Sequence, residues 1–240
     1  MSDRLSPTPA GPSGVRLHAL VPCAGTGSRA GTAIPKQYQP LAGRPMVHHT
    51  LQALAGVARL STVLVAVAPG DRTLAGFAGI TLAECGGPTR ASTVLAGLQV
   101  LQQHGAREDD WVLVHDAARC LVTPALVDRL IDACLDDPVG GLLAQPLADT
   151  LKFGPQARVA ATVPRDDHWL AQTPQMFRLG ALRERRAAAG PAVTDEASAF
   201  EAAGQAPRLV PGSPHNFKVT WPEDFALAEA LLTSRKEAAR

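Results

Sequence analysis

An apolar run from Val15 to Val21 leads directly into Pro22-Cys23-Ala24-Gly25-Thr26-Gly27-Ser28-Arg29-Ala30-Gly31, followed by Ile34-Pro35-Lys36-Gln37. The run sets small or apolar residues at alternate positions, as a strand does. The glycines after it let backbone approach a ligand closely, and N–H groups exposed in such a loop suit phosphate oxygens. Arg29 and Lys36 add two cations to a loop already shaped for anions. A nucleoside triphosphate needs both a cradle and charge neutralisation, so phosphate binding is one reading and a plain turn the other. The Gly-Lys-Ser/Thr ending of a P-loop is missing. So is the acidic residue that a dinucleotide fingerprint places about 20 residues beyond its glycines. The next strand's end, Ala68-Pro69-Gly70-Asp71, lies much further on, which argues against a dehydrogenase.

Apolar runs then alternate with helical patterns. Ser61 to Ala68 and Ile80 to Cys85 read as strands, the second ending at Gly86-Gly87. Thr89 to His104 has helical spacing and stops at Gly105, and Trp111 to His115 is the next strand. Thr123-Pro124 supplies an N-cap and a first-turn proline for a helix to about Leu135. Gly140 to Leu147 is a further strand. This alternation predicts an α/β domain with a mainly parallel sheet covered on both faces. The pattern breaks between Asp149 and Phe177, where residues 150–163 read as a protruding hairpin around Gly154-Pro155. Helices near Leu179–Ala189 and Thr194–Ala203 follow, then short strands near Arg208–Val210 and Phe217–Val219. Thr220-Trp-Pro-Glu223 reads as a capping box for the last helix.

At 240 residues and a net charge of +1, the chain can bury a sizeable core and offers no electrostatic case for nucleic acid or an anionic membrane. It has no apolar run of bilayer-spanning length. Residues 1–14, rich in Ser, Pro and Gly, read as a disordered tail, and 15–240 as one domain. A cytoplasmic location is the expectation. Cys23, Cys85, Cys120 and Cys134 show no metal spacing and no disulfide framework. With 19 Arg and 4 Lys, the chain keeps Lys where a compact point charge is wanted, which singles out Lys36 and Lys218. His48 and His49 are adjacent on a helix and point to different faces, so a helix surface is expected rather than a metal site. Arg183, Arg185 and Arg186 read as a solvated helix face.

In an open parallel sheet, ligands bind beyond the carboxyl ends of the strands. The loop after Val21, Gly86-Gly-Pro-Thr-Arg90, His115-Asp-Ala-Ala-Arg119 and Asp149-Thr150 all sit where apolar runs finish. Each has a mundane reading: a turn, a satisfied core histidine, a local Asp116–Arg119 ion pair. Taken with Pro35-Lys-Gln-Tyr38, Thr93-Val-Leu-Ala-Gly97, Gln172-Thr-Pro-Gln175, Thr194-Asp-Glu-Ala-Ser198 and Asn216-Phe-Lys-Val-Thr220, they make the chain resemble the 2-C-methyl-D-erythritol 4-phosphate cytidylyltransferase family from about Val15 to Leu232.

That resemblance implies a Rossmann-like, GT-A-like nucleotidyltransferase whose β-hairpin arm, about residues 147–168, forms a homodimer. It implies CTP and a methylerythritol phosphate as substrates, with Mg²⁺ or another divalent cation held mainly by the CTP phosphates and Asp116 as a candidate ligand. Arg29 and Lys36 are the implied catalytic cations. Cys23, Ala24, Gly25, Thr26, Gly27, Gly87, Pro88, Arg90, Thr93 and Asp116 are the implied nucleotide site. Asp116, Thr150, Arg165, Thr194 and Lys218 would position the polyol phosphate, with Thr150 and Arg165 expected from the partner subunit's arm. Three residues depart from the family pattern: Cys120 replaces a usual Pro, Pro88 a common acidic residue, and Cys23 a usual Ala. The alternatives are a ribitol 5-phosphate cytidylyltransferase and a catalytically silent nucleotide-binding protein. Loss of Arg29, Lys36, Asp116 or Lys218 would have favoured the silent form, and all four are present.

Overall fold

The computed structural model describes residues 14–25, 34–189 and 193–238. The expected tail therefore lies outside the described residues except for Gly14. The opening apolar run forms β1 (Leu17–Pro22). It is followed by a two-residue ribbon of β2 (Pro40–Leu41) and β3 (Arg44–Pro45), then α1 (Met46–Ala55), β4 (Leu60–Ala66) and β5 (Thr81–Ala83). Next come α2 (Arg90–Gln103), β6 (Trp111–Val114), α3 (Pro124–Cys134) and β7 (Gly141–Pro146). The hairpin is β8 (Leu151–Phe153) and β9 (Ala161–Val163). The chain closes with β10 (Trp169–Arg178), α4 (Leu179–Ala188), α5 (Glu196–Glu201), β11 (Arg208–Pro211) and α6 (Pro222–Ala238).

Seven strands form one sheet in the order β11-β7-β10-β6-β1-β4-β5. β1 pairs in parallel with β4 and β6, β4 with β5, and β7 with β11, while β10 runs antiparallel to both β6 and β7. Side chains alternate across each strand, so the two faces collect different residues. Ala19, Val21, Val63 and Val65 pack on one face with Leu51 of α1 and Val127 of α3. Leu20, Leu64 and Val112 pack on the other with Leu98 of α2, Leu182 of α4 and Phe200 of α5. Burial on both faces explains why these strands read as continuous apolar runs. α6 closes a third cluster through Ala228 and Leu232 against Leu41, Leu121 and Val219.

Five sequence expectations are corrected here. Residues 169–178 form a ten-residue strand at the centre of the sheet where the pattern had broken, with a register shift between Ala171 and Gln175. Phe217–Val219 is extended loop rather than strand, tied to the sheet edge by Val219 N–H donating to Ala118 O at 2.9 Å. The cap of α6 is Asp224, not Glu223: its Oδ2 accepts from the N–H groups of Thr220 and Trp221 at 2.7 and 2.8 Å. His49 is buried with Nε2–H donating to Leu41 O at 2.8 Å, and Arg186 is buried with Nη1 on Asp195 O at 3.1 Å. The hairpin stands as its own two-stranded sheet, apart from the main one, with Phe153 and Val159 left 60% and 69% exposed.

At the edge opposite the strands' carboxyl ends, a fully buried Asp110 gathers the N–H groups of Arg16 and Arg107 at 2.9 and 2.8 Å, with His18 Nε2 at 3.4 Å. Burial pushes its carboxyl up, but the two backbone N–H groups, His18 and Arg16 outweigh it and bring it down to about 2. A carboxyl lowered on folding stabilises the native state above its unfolded value and loses that contribution as pH falls toward the folded one. Asp110→Asn should lower stability at neutral pH by on the order of 2 kcal/mol. It should also flatten the Tm profile between about pH 4 and 2. Thermal melts of both proteins across that range check it; parallel profiles would refute the assignment.

Candidate active site

The chain just past the carboxyl ends of β1, β5 and β6 lines one cavity of about 480 Å³. After β1, Cys23–Gly25 form its floor, and Gln37 holds that loop by donating Nε2–H to Cys23 O at 3.1 Å and Gly25 O at 2.9 Å. Opposite, Gly86 approaches so closely that an added Cβ would meet the Ala24 Cβ and lie 2.7 Å from Val67 O. Gly86→Ala should therefore push the two loops apart, lowering stability by about 1–3 kcal/mol and weakening nucleotide binding. A thermal melt with a nucleotide titration checks this, and an unchanged melt with unchanged binding would contradict it.

Thr89 caps α2, accepting the Ser92 N–H at 3.1 Å, and Ser92 Oγ returns the bond to the Thr89 N–H. The capped turn sets Thr93, whose buried hydroxyl accepts from Gly87 N–H at 3.1 Å and donates to Thr89 O at 2.9 Å. Gly87, Pro88, Arg90 and Thr93 thus line one wall. Lys36, in the short 3-10 turn before β2, lines another and donates from Nζ to Val219 O at 2.6 Å.

Asp116, just past β6, is the electrostatic centre. Its Oδ1 accepts from Arg90 Nε at 2.9 Å, its Oδ2 pairs with Lys218 Nζ at 2.9 Å, and Arg119 Nε lies 3.8 Å from Oδ2. Burial would raise the carboxyl, but Arg90, Lys218 and Arg119 together hold it well below the usual carboxylate range. Its backbone is fixed as well, since Asp116 N–H donates to Thr173 Oγ1 at 3.0 Å. That hydroxyl lies 3.0 Å from Nδ1 of His115, whose Nε2 sits 3.2 Å from Arg119 O. A carbonyl takes only a donor, so Nε2 carries the hydrogen and Nδ1 accepts from Thr173. Burial lowers His115 to about 4, outweighing the attraction of Asp116, so the ring is neutral at pH 7.

Behind Asp116 lies a second cavity of about 170 Å³, lined by Arg119, Gln172, Thr173, Gln175, Thr194 and Asp195. Arg90, Asp116 and Lys218 line both cavities. Thr194 stays outside α5 because Asp195 is the cap, its Oδ1 accepting from Ser198 N–H at 2.9 Å. Buried Asn216 anchors the Lys218 loop to β10, donating Nδ2–H to Thr173 O at 2.8 Å. Among the described residues, no three His, Cys, Asp or Glu side chains cluster as a metal-ligand set. Both Asp116 oxygens already pair with cations, whereas Mg²⁺ wants a set of free oxygen donors. The described residues do not fit a protein-held divalent ion.

The structure therefore brings Cys23, Ala24, Gly25, Lys36, Gly87, Pro88, Arg90, Thr93, Asp116 and Lys218 around one cavity, with Thr194 in the adjoining one. Thr26, Gly27 and Arg29 lie outside the described residues. Thr150 and Arg165 are exposed at the base of the hairpin, where Arg165 Nη1 donates to Ala148 O, and neither lines either of these two cavities. Gln37, Arg119, Thr173 and Glu196 belong to the site and were not singled out from sequence as site residues. All four did stand inside quoted motifs, and Arg119 does make the local ion pair with Asp116.

Comparison with known proteins identifies the family. The family profile for IspD, 2-C-methyl-D-erythritol 4-phosphate cytidylyltransferase, matches residues 17–234. A bifunctional enzyme IspD/IspF of Albidiferax ferrireducens is 59% identical over 98% of this chain, which spans 57% of that longer protein. A 2-C-methyl-D-erythritol 4-phosphate cytidylyltransferase of Paraburkholderia phytofirmans is 55% identical over 93% of this chain and 98% of its own length. A crystal structure of a 4-diphosphocytidyl-2C-methyl-D-erythritol synthase superposes with a TM-score of 0.81 at 37% identity, covering 91% of this chain and 98% of that one. The chain belongs to the 2-C-methyl-D-erythritol 4-phosphate cytidylyltransferase family.

Proposed function

We propose that this chain transfers CMP from CTP to 2-C-methyl-D-erythritol 4-phosphate, forming 4-diphosphocytidyl-2-C-methyl-D-erythritol and pyrophosphate. The shared wall of Arg90, Asp116 and Lys218 carries the reading, because two ligands filling the two cavities would meet across it. CTP fills the larger cavity, its cytosine and ribose against Cys23, Ala24, Gly87, Pro88 and Thr93, and its phosphates toward Lys36; Arg29, outside the described residues, is the second cation proposed for the triphosphate. The polyol phosphate fills the smaller one, positioned by Asp116, Thr194 and Lys218. Mg²⁺, or another divalent cation, enters as part of the nucleotide substrate, on the phosphate oxygens.

The nucleophile is an oxygen of the acceptor phosphate, whose second pKa of about 6 leaves it mostly ionised at neutral pH. It attacks the α-phosphorus in line, and the bond to the pyrophosphate oxygen breaks. No protein base or nucleophile is needed, and the described cavity residues are poorly suited to act as one. Burial pushes the Cys23 thiol up to about 12, so it stays protonated. Both ring nitrogens of His115 are engaged, and Asp116 is ion-paired at each oxygen. The protein's part is to offset the repulsion between two polyanions and the charge growing on the equatorial oxygens.

Thr150 and Arg165 complete the acceptor site from the arm of a second copy. The exposed Phe153, Val159 and Leu170 on and beside that arm support this, since an isolated two-stranded hairpin is marginal alone. Sedimentation should give a dimer, and Phe153→Asp should shift it toward monomer and lower activity in step. A fully active monomer would remove Thr150 and Arg165 from the site. Among the described residues no helix is long and apolar enough to cross a membrane, and the four cysteines are unpaired, in keeping with a cytoplasmic enzyme.

The test is pyrophosphate release with CTP and Mg²⁺, given methylerythritol phosphate, ribitol 5-phosphate or no acceptor. Release with methylerythritol phosphate is expected. Preference for ribitol phosphate would keep the chemistry and change the substrate, and silence with both would leave a nucleotide-binding protein.

A further inference from the structure

Glu196 is a fully buried acid beside the site to which neither the motifs nor the reaction gives a task. Its Oε1 and Oε2 accept from Nη1 and Nη2 of Arg90 at 2.7 and 2.8 Å, a planar fork-to-fork pair. The remaining nitrogen, Nε, donates to Asp116 Oδ1 at 2.9 Å, and Asp116 Oδ2 meets Lys218 Nζ at 2.9 Å. One unbroken line of alternating charge thus runs from α5, through the first turn of α2, to the wall between the two cavities. A buried ion pair is weak evidence for stability, because desolvation offsets much of its attraction. It does fix geometry. An arginine at this place without Glu196 would be free to turn onto triphosphate oxygens or to take both oxygens of Asp116 and displace Lys218.

We infer that Glu196 is a positioning residue for the transfer: through Arg90 it fixes the Asp116 carboxylate, and so keeps Lys218 at the wall where the two substrates meet. This rests on the cytidylyl-transfer reading. Thr194, two residues earlier on the same capped segment, lines the acceptor cavity. The link therefore ties the acceptor side to the nucleotide side as one unit.

The experiment compares Glu196→Gln in the wild-type and Asp116→Asn backgrounds by acceptor-dependent pyrophosphate release, with a thermal melt of each protein. In the wild-type background the substitution should lower kcat about tenfold or more, as displaced reacting groups do, with the KM for CTP moving less than about threefold. In the Asp116→Asn background it should lower kcat by less than about threefold, because residues acting through one another are not additive. Equal losses in both backgrounds, or a wild-type-background kcat within about twofold of the unsubstituted protein, would overturn the inference. If Glu196→Gln does not fold, Arg90→Lys, which keeps the charge but not the fork, is carried through the same two backgrounds with the same expected and overturning results. Silence of the unsubstituted chain would overturn the transferase reading and this inference with it; an active one separates the two.

Discussion

Lys36→Ala is expected to lower turnover by about 10²–10³ while leaving the protein folded, the loss typical of removing one preorganised charge contact from a transition state. Lys36 lines the larger cavity, and its Nζ rests on Val219 O at the end of the Lys218 loop. The ammonium is thus held by the segment that also carries Lys218, the second lysine of the site. In-line transfer builds negative charge on the α-phosphoryl oxygens and the leaving pyrophosphate, and a flexible point charge can follow that growth. Steady-state kinetics with saturating acceptor, beside a melt, give the answer. Turnover within tenfold of wild type would remove Lys36 from that role, and Lys36→Arg should recover only part of the activity because a planar fork cannot occupy the same point.

Asp116→Asn is expected to lower kcat by about 10², through misplaced substrate rather than lost nucleotide binding. Asn keeps the shape but removes the charge that holds Arg90 and Lys218 at 2.9 Å each and Arg119 at 3.8 Å. Arg90 would keep its Glu196 pair, but Arg119 and Lys218 would lose their carboxylate, and breaking such a partly buried pair should lower stability by about 3 kcal/mol. The added positive charge should leave the KM for CTP unchanged or lower it, while the acceptor KM rises. The carboxyl sits far below the usual range and His115 far below neutrality, so neither group titrates between pH 6 and 9. The loss should therefore be the same across that window. A variant whose defect appears only in the CTP KM would show that Asp116 belongs to nucleotide binding alone.

Local signals were enough for the elements whose residues set their own conformation. Thr123 was readable as a cap because a hydroxyl before a helical pattern takes an early N–H, and it does so on Leu126. The strands β1, β4 and β6 were readable because burial on both faces leaves continuous apolar runs. β10 was not, since Gln172, Thr173, Pro174 and Gln175 sit where apolar residues would announce a strand. Those polar side chains serve the second cavity and the Asn216 anchor instead of the core. The final cap was misread because Thr220 and Glu223 fit the capping-box spacing, whereas in the fold it is Asp224 that turns back onto the Thr220 and Trp221 N–H groups.

The site followed the same division. Residues carried in contiguous motifs at strand ends were legible as candidates, because a parallel sheet gathers those ends on one edge. Glu196 was not, although it stands inside a quoted motif. Its partner Arg90 lies 106 residues away, and nothing local distinguishes a buried acid from the exposed first-turn glutamate of any helix. His49 was misplaced on a surface for the same reason: the β2–β3 ribbon that covers it supplies the Leu41 carbonyl only after folding.

The central claim is that the cytidylyl group passes from one cavity to the other in a single displacement, with no atom of the protein bonded to phosphorus. The measurement that tests it most directly is the stereochemical course at the α-phosphorus, using CTP carrying one sulfur of known configuration there and methylerythritol phosphate as acceptor. Inversion is the result predicted by direct attack across the wall of Arg90, Asp116 and Lys218. Retention would mean two displacements through a bond to the protein, and would contradict the account.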